Sequence, residues 1–423
     1  MRLYSTLSRR LEELPPPPGP IRMYFCGPTV YQRIHIGNAR PFVISMWLRR
    51  WLRERGYDVT LVENITDIND KIYEAAPGAS AKLAADASGW YVEDTDQLGL
   101  GRPDVEPTAT ESVPAIVRAI SELVERGFAY EVEGDVYFRV ARDPRYGELS
   151  RQRPDQVEEQ EPNPRKEDSR DFALWKATKP GEDTSWESPW GAGRPGWHIE
   201  CSVMASEHLG PVFEIHGGGL DLVFPHHENE LAQSRALGHE FARIWTHNGM
   251  LQMVGEKMSK SLGNIVTLRD ALERWGPETV LLFFMTAHWR SPIDLSDETL
   301  EAARSQTQTF RDAFVAGGSG EADWEELVSA LDDDFNTADA LAVLHGWRSA
   351  GALDSVRRGL DLFGLGGLAE RAEAPTEVAA LASARADARA GGDFAEADRL
   401  RDAIEAAGWE VRDVGGGFEL VPR

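Results

Sequence analysis

Between Gly196 and Gln233 the chain reads GWHIECSVMASEHLGPVFEIHGGGLDLVFPHHENELAQ, and this stretch carries one of only two cysteines, Cys201. His226 and Glu230 stand four residues apart, so a helix places both on one face. Thiolate, imidazole and carboxylate together suit zinc, with four protein ligands in a closed site and three in an open one. The other cysteine, Cys26, follows a short apolar run far upstream. We read Cys26, Cys201, His226 and Glu230 as one metal centre assembled by the fold. Two blander readings stand beside it. The cysteines can be inert packing residues, the commonest fate of a buried free thiol, or they can form a disulfide. No CxxC pair is present to favour the metal on spacing alone.

Three further clusters have nucleotide chemistry. His35-Ile36-Gly37-Asn38 combines two side chains that can donate to phosphate with a glycine that lets backbone come close; the plainer reading is a helix cap by Asn38. Ile215-His216-Gly217-Gly218-Gly219-Leu220-Asp221 leaves room for a base or ribose, and Asp221 can accept from ribose hydroxyls; a tight turn with a capping Asp fits it about as well. Glu256-Lys257-Met258-Ser259-Lys260-Ser261 sets two lysines among small polar residues, a pattern that suits a loop neutralising the charge of a transferring phosphoryl group. Alone, those lysines would be unremarkable surface residues. Following HIGN, the KMSKS run is highly specific.

The elements that must position these residues follow from the apolar pattern. Ile21–Phe25 reads as a strand, Pro41–Arg55 as a helix with Trp47, Leu48, Trp51 and Leu52 inward and Gly56 as its stop, and Tyr57–Glu63 as the next strand. Strand, helix, strand is the unit of an α/β, Rossmann-like, doubly wound parallel sheet. Its ligands sit at the carboxyl ends of the strands, which is where Cys26, Thr29, His35 and Thr66 fall. Helices are expected at Ser80–Gly99 and Ser112–Gly127 and a hairpin at Tyr130–Val140. The stretch with Trp175, Trp186, Trp190 and Trp197 reads as loop. Beyond Arg269 the pattern is helical: Asp270–Met285, Asp297–Gly317, Asp323–Leu344, Ala379–Ala390 and Phe394–Ala407, then a β-like end at Trp409–Val421. The expected division is a split catalytic domain (1–72 and 189–255), an inserted connective region (73–188) and a KMSKS and stem-contact region (256–305). A helical domain (306–375) and a small C-terminal module (376–423) complete it.

Composition narrows the class. With 45 Lys+Arg against 70 Asp+Glu the net charge is −25 over 423 residues. Any RNA would have to be bound by local patches and shape against a repulsive background. Two cysteines in so long a chain suit a reducing compartment. No apolar leader or membrane-length run is present, so a cytoplasmic protein with no membrane partner is expected.

HIGN with KMSKS is the motif pair of the class I aminoacyl-tRNA synthetases, and the chain resembles the cysteinyl-tRNA synthetase family over nearly its whole length. The matching stretches include CGPTVY at Cys26–Tyr31, NITDIND at Asn64–Asp70 and SPWGAGRPGWHIECSVMA at Ser188–Ala205. IHGGGLDLVFPHHENELAQS at Ile215–Ser234, EKMSKSLGN at Glu256–Asn264, DDDFNTADAL at Asp332–Leu341 and the segment Phe394–Asp413 also match.

The resemblance implies a ligase that activates L-cysteine with ATP and Mg²⁺ and transfers it to tRNA(Cys). It implies one Zn²⁺ per subunit on Cys26, Cys201, His226 and Glu230, a monomer, and an anticodon-binding role for the helical domain 306–375. It places Gly27, Thr29, Thr66, Trp197 and His216 around the cysteine. ATP falls to His35, Gly37, Asn38, Gly218, Asp221 and Lys260, and charge stabilisation to His35, Asn38, Lys257 and Lys260. Because four protein ligands would close the site, Glu230 is expected to bind weakly or the ion to become five-coordinate with substrate.

Three departures stand out: Asn38 where many class I enzymes have a second His, a shortened segment around Glu74–Ser88, and a GGGFELVPR end without the family's Trp and basic residues. An ATP-dependent ligase joining cysteine to an amino sugar would share the metal and phosphate motifs. So would a non-catalytic, zinc-stabilised RNA-binding paralogue. Asp332–Leu341 and the C-terminal module favour the tRNA ligase over the first, and Lys257 and Lys260 over the second.

Overall fold

Strand β1 (Pro20–Phe25) runs parallel to β2 (Asp58–Glu63) on one side and to β3 (Val212–Gly219) on the other, and β4 (Phe241–Asn248) lies outside β3. The resulting order β4-β3-β1-β2, all parallel, reverses direction between β1 and β3. The computed structural model describes residues 1–152, 162–253, 266–370, 374–414 and 417–422. Among them no helix is long and apolar enough to cross a membrane.

Side chains alternate between the two faces of the sheet. Ile21, Met23 and Phe25 pack on one face with Phe42, Val43 and Trp47 of helix α1 (Ile36–Glu54). Tyr24 and Cys26 point to the other, against Cys201 and Met204 of α2 (Trp197–Leu209) and Leu231 of α3 (Glu228–Ala236). That alternation decides which layer Cys26 faces. Trp47 and Trp51 of α1 are buried as expected, and their indole nitrogens donate to the Phe363 carbonyl (2.9 Å) and to Asp332 (3.1 Å). Through them the sheet layer is joined to the helices that follow.

Several expected elements are corrected. α1 begins at Ile36, ahead of Pro41, because a proline early in a helix forfeits only one backbone bond. Asn38 is therefore a helical residue, not a cap; His35 holds that position, with extended backbone (φ −81°, ψ 157°). Trp175 lies in a strand, Phe172–Ala177, of a second, antiparallel sheet with Ala129–Val132, Asp135–Phe138 and Gly193–Pro195. Asp270–Met285 is two helices, Leu268–Trp275 and Pro277–Met285, parted by Gly276 at φ +76°. Asp323–Leu344 is likewise broken into Trp324–Asp332 and Thr337–Ala350, since Asp334 and Phe335 take positive φ. The C-terminal helices Thr376–Ala390 and Phe394–Ala406 close on a hairpin around Val378, Ala382, Ile404 and Val411.

Candidate active site

The strand order reverses between β1 and β3, and the carboxyl ends of the strands at such a reversal are the usual ligand position of these sheets. Cys26 extends the ladder there, its amide donating to the Gly217 carbonyl (3.1 Å). Gly27 donates to Asn64 Oδ1 (3.1 Å). A Cβ on Gly27 would fall 1.8 Å from the Asn64 carbonyl oxygen, so only glycine lets the ends of β1 and β2 meet this closely. Thr29 and Thr66 then bridge, with Val30 N–H to Thr66 carbonyl at 3.1 Å. Asn64 also donates to Thr66 Oγ1 (3.0 Å) and lies 3.6 Å from Cys201 Sγ.

Cys26, Cys201, His226 and Glu230 converge from β1, α2 and the start of α3. One donor atom from each lies within 4.8 Å of the others, and all four residues are buried. The cysteines are free thiols. Cys26 Sγ is 3.5 Å from both His226 Nε2 and Glu230 Oε1, and those two are 3.1 Å apart. Tetrahedral zinc with bonds of about 2.3 Å to sulfur and about 2.0–2.1 Å to nitrogen separates such donors by about 3.5 Å. The donor set and its spacing therefore fit the ion.

The electrostatics fit it as well. Burial, then the neighbouring Cys201, pushes the Cys26 thiol well above its ordinary range. Without a cation such a thiolate would be costly; beside one it is stabilised. Burial, then His198 and His216, holds His226 well below the usual imidazole range, so it is neutral and able to ligate. Trp197, half-buried, stacks on the His226 ring (centroids 4.2 Å, 22°) and forms one wall.

His216 is fully buried on β3, with Nδ1 3.1 Å from the Tyr24 carbonyl and Nε2 2.9 Å from Glu230 Oε2. It thus reaches Glu230 rather than open space. His198, His227, Asn64 and Glu200 belong to the surroundings and were not singled out from sequence. The run HHENE held a signal for His227; the others had none beyond proximity to Cys201 and to NITDIND. Glu200 is fully buried with neither oxygen hydrogen-bonded among the described residues, and burial raises its carboxyl well above the usual range.

Of the expected nucleotide contacts, His35 caps α1 and Gly37 and Asn38 lie in its first turn. His35 and Gly37 are half-buried and Asn38 is exposed. Helix-terminal amides and the helix dipole favour an anion at this end. Burial lowers the His35 pKa, while Asp221 opposes it. Asp221 is exposed and turns back to within 2.4 Å of where a Gly219 Cβ would stand. The space beside Gly217 is filled by the Phe25 ring and that beside Gly218 by Leu222 and His227, so these glycines leave no open room there and a ligand could meet them only through their backbone. Lys257 and Lys260 lie outside the described residues. The described chain resumes at Val266, whose carbonyl accepts from Ile36 N–H at 3.0 Å, next to His35.

Comparison with known proteins gives the family. The family model for tRNA synthetases class I (C) catalytic domain matches residues 15–305, the DALR domain matches 327–350, and the cysteinyl-tRNA ligase anticodon binding domain matches 371–419. The cysteine–tRNA ligase of Laribacter hongkongensis is 44% identical over 451 residues, covering 99% of this chain and 98% of the relative. That of Geobacillus thermodenitrificans is 42% identical over 459 residues, with the same coverage. Among solved structures, Mycobacterium tuberculosis methionyl-tRNA synthetase in complex with methionyl-adenylate shares the fold at TM-score 0.56 and 17% identity, over 87% of this chain and 84% of that one. The Agrobacterium radiobacter LeuRS-tRNA-LeuAMS ternary complex does so at 0.59 and 12%, over 84% and 86%. With catalytic, DALR and anticodon-binding regions all matched, the chain belongs to the cysteinyl-tRNA synthetase family of class I aminoacyl-tRNA ligases.

Proposed function

We propose that this enzyme joins L-cysteine to tRNA(Cys) in two steps. The cysteine carboxylate attacks the α-phosphorus of ATP, giving cysteinyl-adenylate and pyrophosphate. The terminal ribose hydroxyl of the tRNA then takes the acyl group and releases AMP. The observation that carries this reading is the convergence of two thiols, His226 and Glu230 in one buried pocket at the strand-order reversal.

A zinc ion on these four residues would supply a bond that a substrate thiolate can make and a serine hydroxyl cannot match. Pocket shape alone separates near-isosteres by only about a hundredfold. Neutral His226 presents Nε2 to the ion, Trp197 packs over His226 and against the substrate side chain, and His216 holds the second oxygen of Glu230. Gly27, Thr29 and Thr66, at the joined ends of β1 and β2, face the amino-acid backbone.

His35, Gly37 and Asn38 at the start of α1, with Gly218 and Asp221, hold ATP, which brings Mg²⁺. Lys257 and Lys260 neutralise the pyrophosphate as it leaves. Catalysis is positioning and charge stabilisation, with no protein nucleophile. The matched anticodon-binding region supports tRNA as the acceptor; the enzyme acts as a monomer in the cytoplasm.

Cysteine-dependent ATP–pyrophosphate exchange, run beside tRNA charging in one preparation, tests both steps. Exchange with cysteine, little with serine, and charging of tRNA(Cys) are expected. Exchange at equal rates with serine would reject the metal's selective role. Exchange without charging would reject the tRNA step.

A further inference from the structure

Glu230 has two oxygens facing two different sets of neighbours. Oε1 lies beside Cys26 and His226, whereas Oε2 lies 2.9 Å from His216 Nε2. A second group of four donors, Cys26, His216, His227 and Glu230, also lies within 4.8 Å of one another, and all four are buried. The two groups share Cys26 and Glu230, so a single cation can occupy only one at a time.

The histidines of the second group carry the outer partners that metal-bound imidazoles need. His216 Nδ1 is 3.1 Å from the Tyr24 carbonyl, which can only accept, so Nδ1 donates there; Nε2 faces Glu230 Oε2 and would use its lone pair when a cation, rather than a proton, stands between them. His227 Nδ1 is 2.7 Å from His247 Nε2, and His247 Nδ1 is 2.8 Å from the Thr6 hydroxyl. A chain of donation from His227 to His247 to Thr6 leaves a lone pair on His227 Nε2 too. That atom is buried, has no hydrogen-bond partner among the described residues, and lies 3.9 Å from Glu230 Oε1. Buried polar atoms are rarely left so.

We propose that the pocket contains a second position for a divalent cation of the zinc class, bounded by Cys26, His216, His227 and Glu230. It is deeper than the first: His216 and His227 are fully buried, while Trp197 over His226 marks the accessible side. This inference rests on the metal reading of the outer site and extends it.

Cobalt(II) serves as the probe, since its visible bands report geometry and its charge-transfer band counts thiolates. Cys201→Ser with His226→Ala removes two ligands of the outer position and none of the inner. This double variant should bind one Co²⁺ in a tetrahedral field with the charge-transfer band of one cysteine instead of two. Adding His227→Gln should weaken Co²⁺ binding at least about tenfold. Equal affinity with and without His227 overturns the inner position. So does absence of Co²⁺ from a double variant whose circular dichroism matches the parent. If the double variant does not fold, Cys201→Ser alone is compared with Cys201→Ser plus His227→Gln, and equal affinities overturn the proposal in the same way. Failure of the unaltered protein to bind stoichiometric Co²⁺ or Zn²⁺ would instead reject the outer site itself.

Discussion

The two ends of the site are built on opposite plans. At the thiol end, Cys26 is 6% exposed, Cys201 and His226 1% each and Glu230 not at all. Every ring nitrogen of His216 and His226 lies within hydrogen-bonding distance of another group. At the proposed nucleotide end, Asn38 and Asp221 are exposed, and the described helix start offers amides and side chains to a ligand that, in the proposed reaction, must enter and leave. Selecting one atom over another requires donors fixed at set distances, and burial fixes them. Stabilising a leaving group requires charge that remains reachable. The contrast implies that damage to the thiol end destabilises and demetallates the protein, whereas damage to the nucleotide end alters kinetics alone.

The largest expected effect is at the thiol end. Cys201→Ser should weaken zinc binding at the outer position by more than about a hundredfold, since altering even outer partners costs 10–100-fold. Cysteine-dependent pyrophosphate exchange should fall with it. Normal exchange with normal zinc content would break the contrast at its root.

The next tests the rigidity around β2. Glu63, at its carboxyl end, is buried, and burial raises its carboxyl to about 7, although Tyr91 (2.6 Å) and Ser45 (3.2 Å) donate to it. A raised pKa means the folded state binds the extra proton between the carboxyl's ordinary range and about 7. Stability contributed by protonated Glu63 is thus present at low pH and is lost as pH rises through 7. Shifts of this size amount to about 3 kcal/mol. Glu63→Gln should remove the dependence, raising the melting temperature at pH 8 relative to the parent and not at pH 5. Parallel melting curves across that range would count against it.

A smaller loss is expected from Gly27→Ala. The added methyl meets the Asn64 carbonyl and should destabilise by about 1–3 kcal/mol while also loosening the metal. Thermal unfolding and zinc titration read the two together; a change in one alone would separate strand closure from ligand placement. Least of all, Asn38→Ala should leave the melting temperature within the small range of surface changes, about 0.5 kcal/mol, and raise the KM for ATP. A marked loss of stability there would mean that the nucleotide end is as rigid as the other.

How much of this was legible in the sequence follows the same division. The clustering of Cys26, Cys201, His226 and Glu230 and the strand that leads to Cys26 could be read from residue type and period, because alternation along β1 fixes which face Cys26 takes. His198, His247 and Asn64 could not, since their contacts join residues distant in sequence: Asn64 meets Cys201, His198 meets His226 and His247 meets Thr6. The break at Gly276 was written plainly in a Gly-Pro pair. The break at Asp334-Phe335 was hidden, because neither residue ordinarily takes positive φ and tertiary bonds to Arg2 and Arg290 hold Asp334 there. Trp175 was hidden among glycines and prolines although its own strand is short and apolar.

The placement of Cys26 on the first strand has a consequence for the chain as it is made. Its partner Glu230 lies 204 residues later. At ordinary elongation rates, roughly ten to forty seconds separate their synthesis. Throughout that interval the first cysteine emerges into solution without the groups that will enclose it, open to oxidation and to stray metals. Newly made molecules are therefore more sensitive to oxidants than finished ones, and the vulnerability belongs to translation itself.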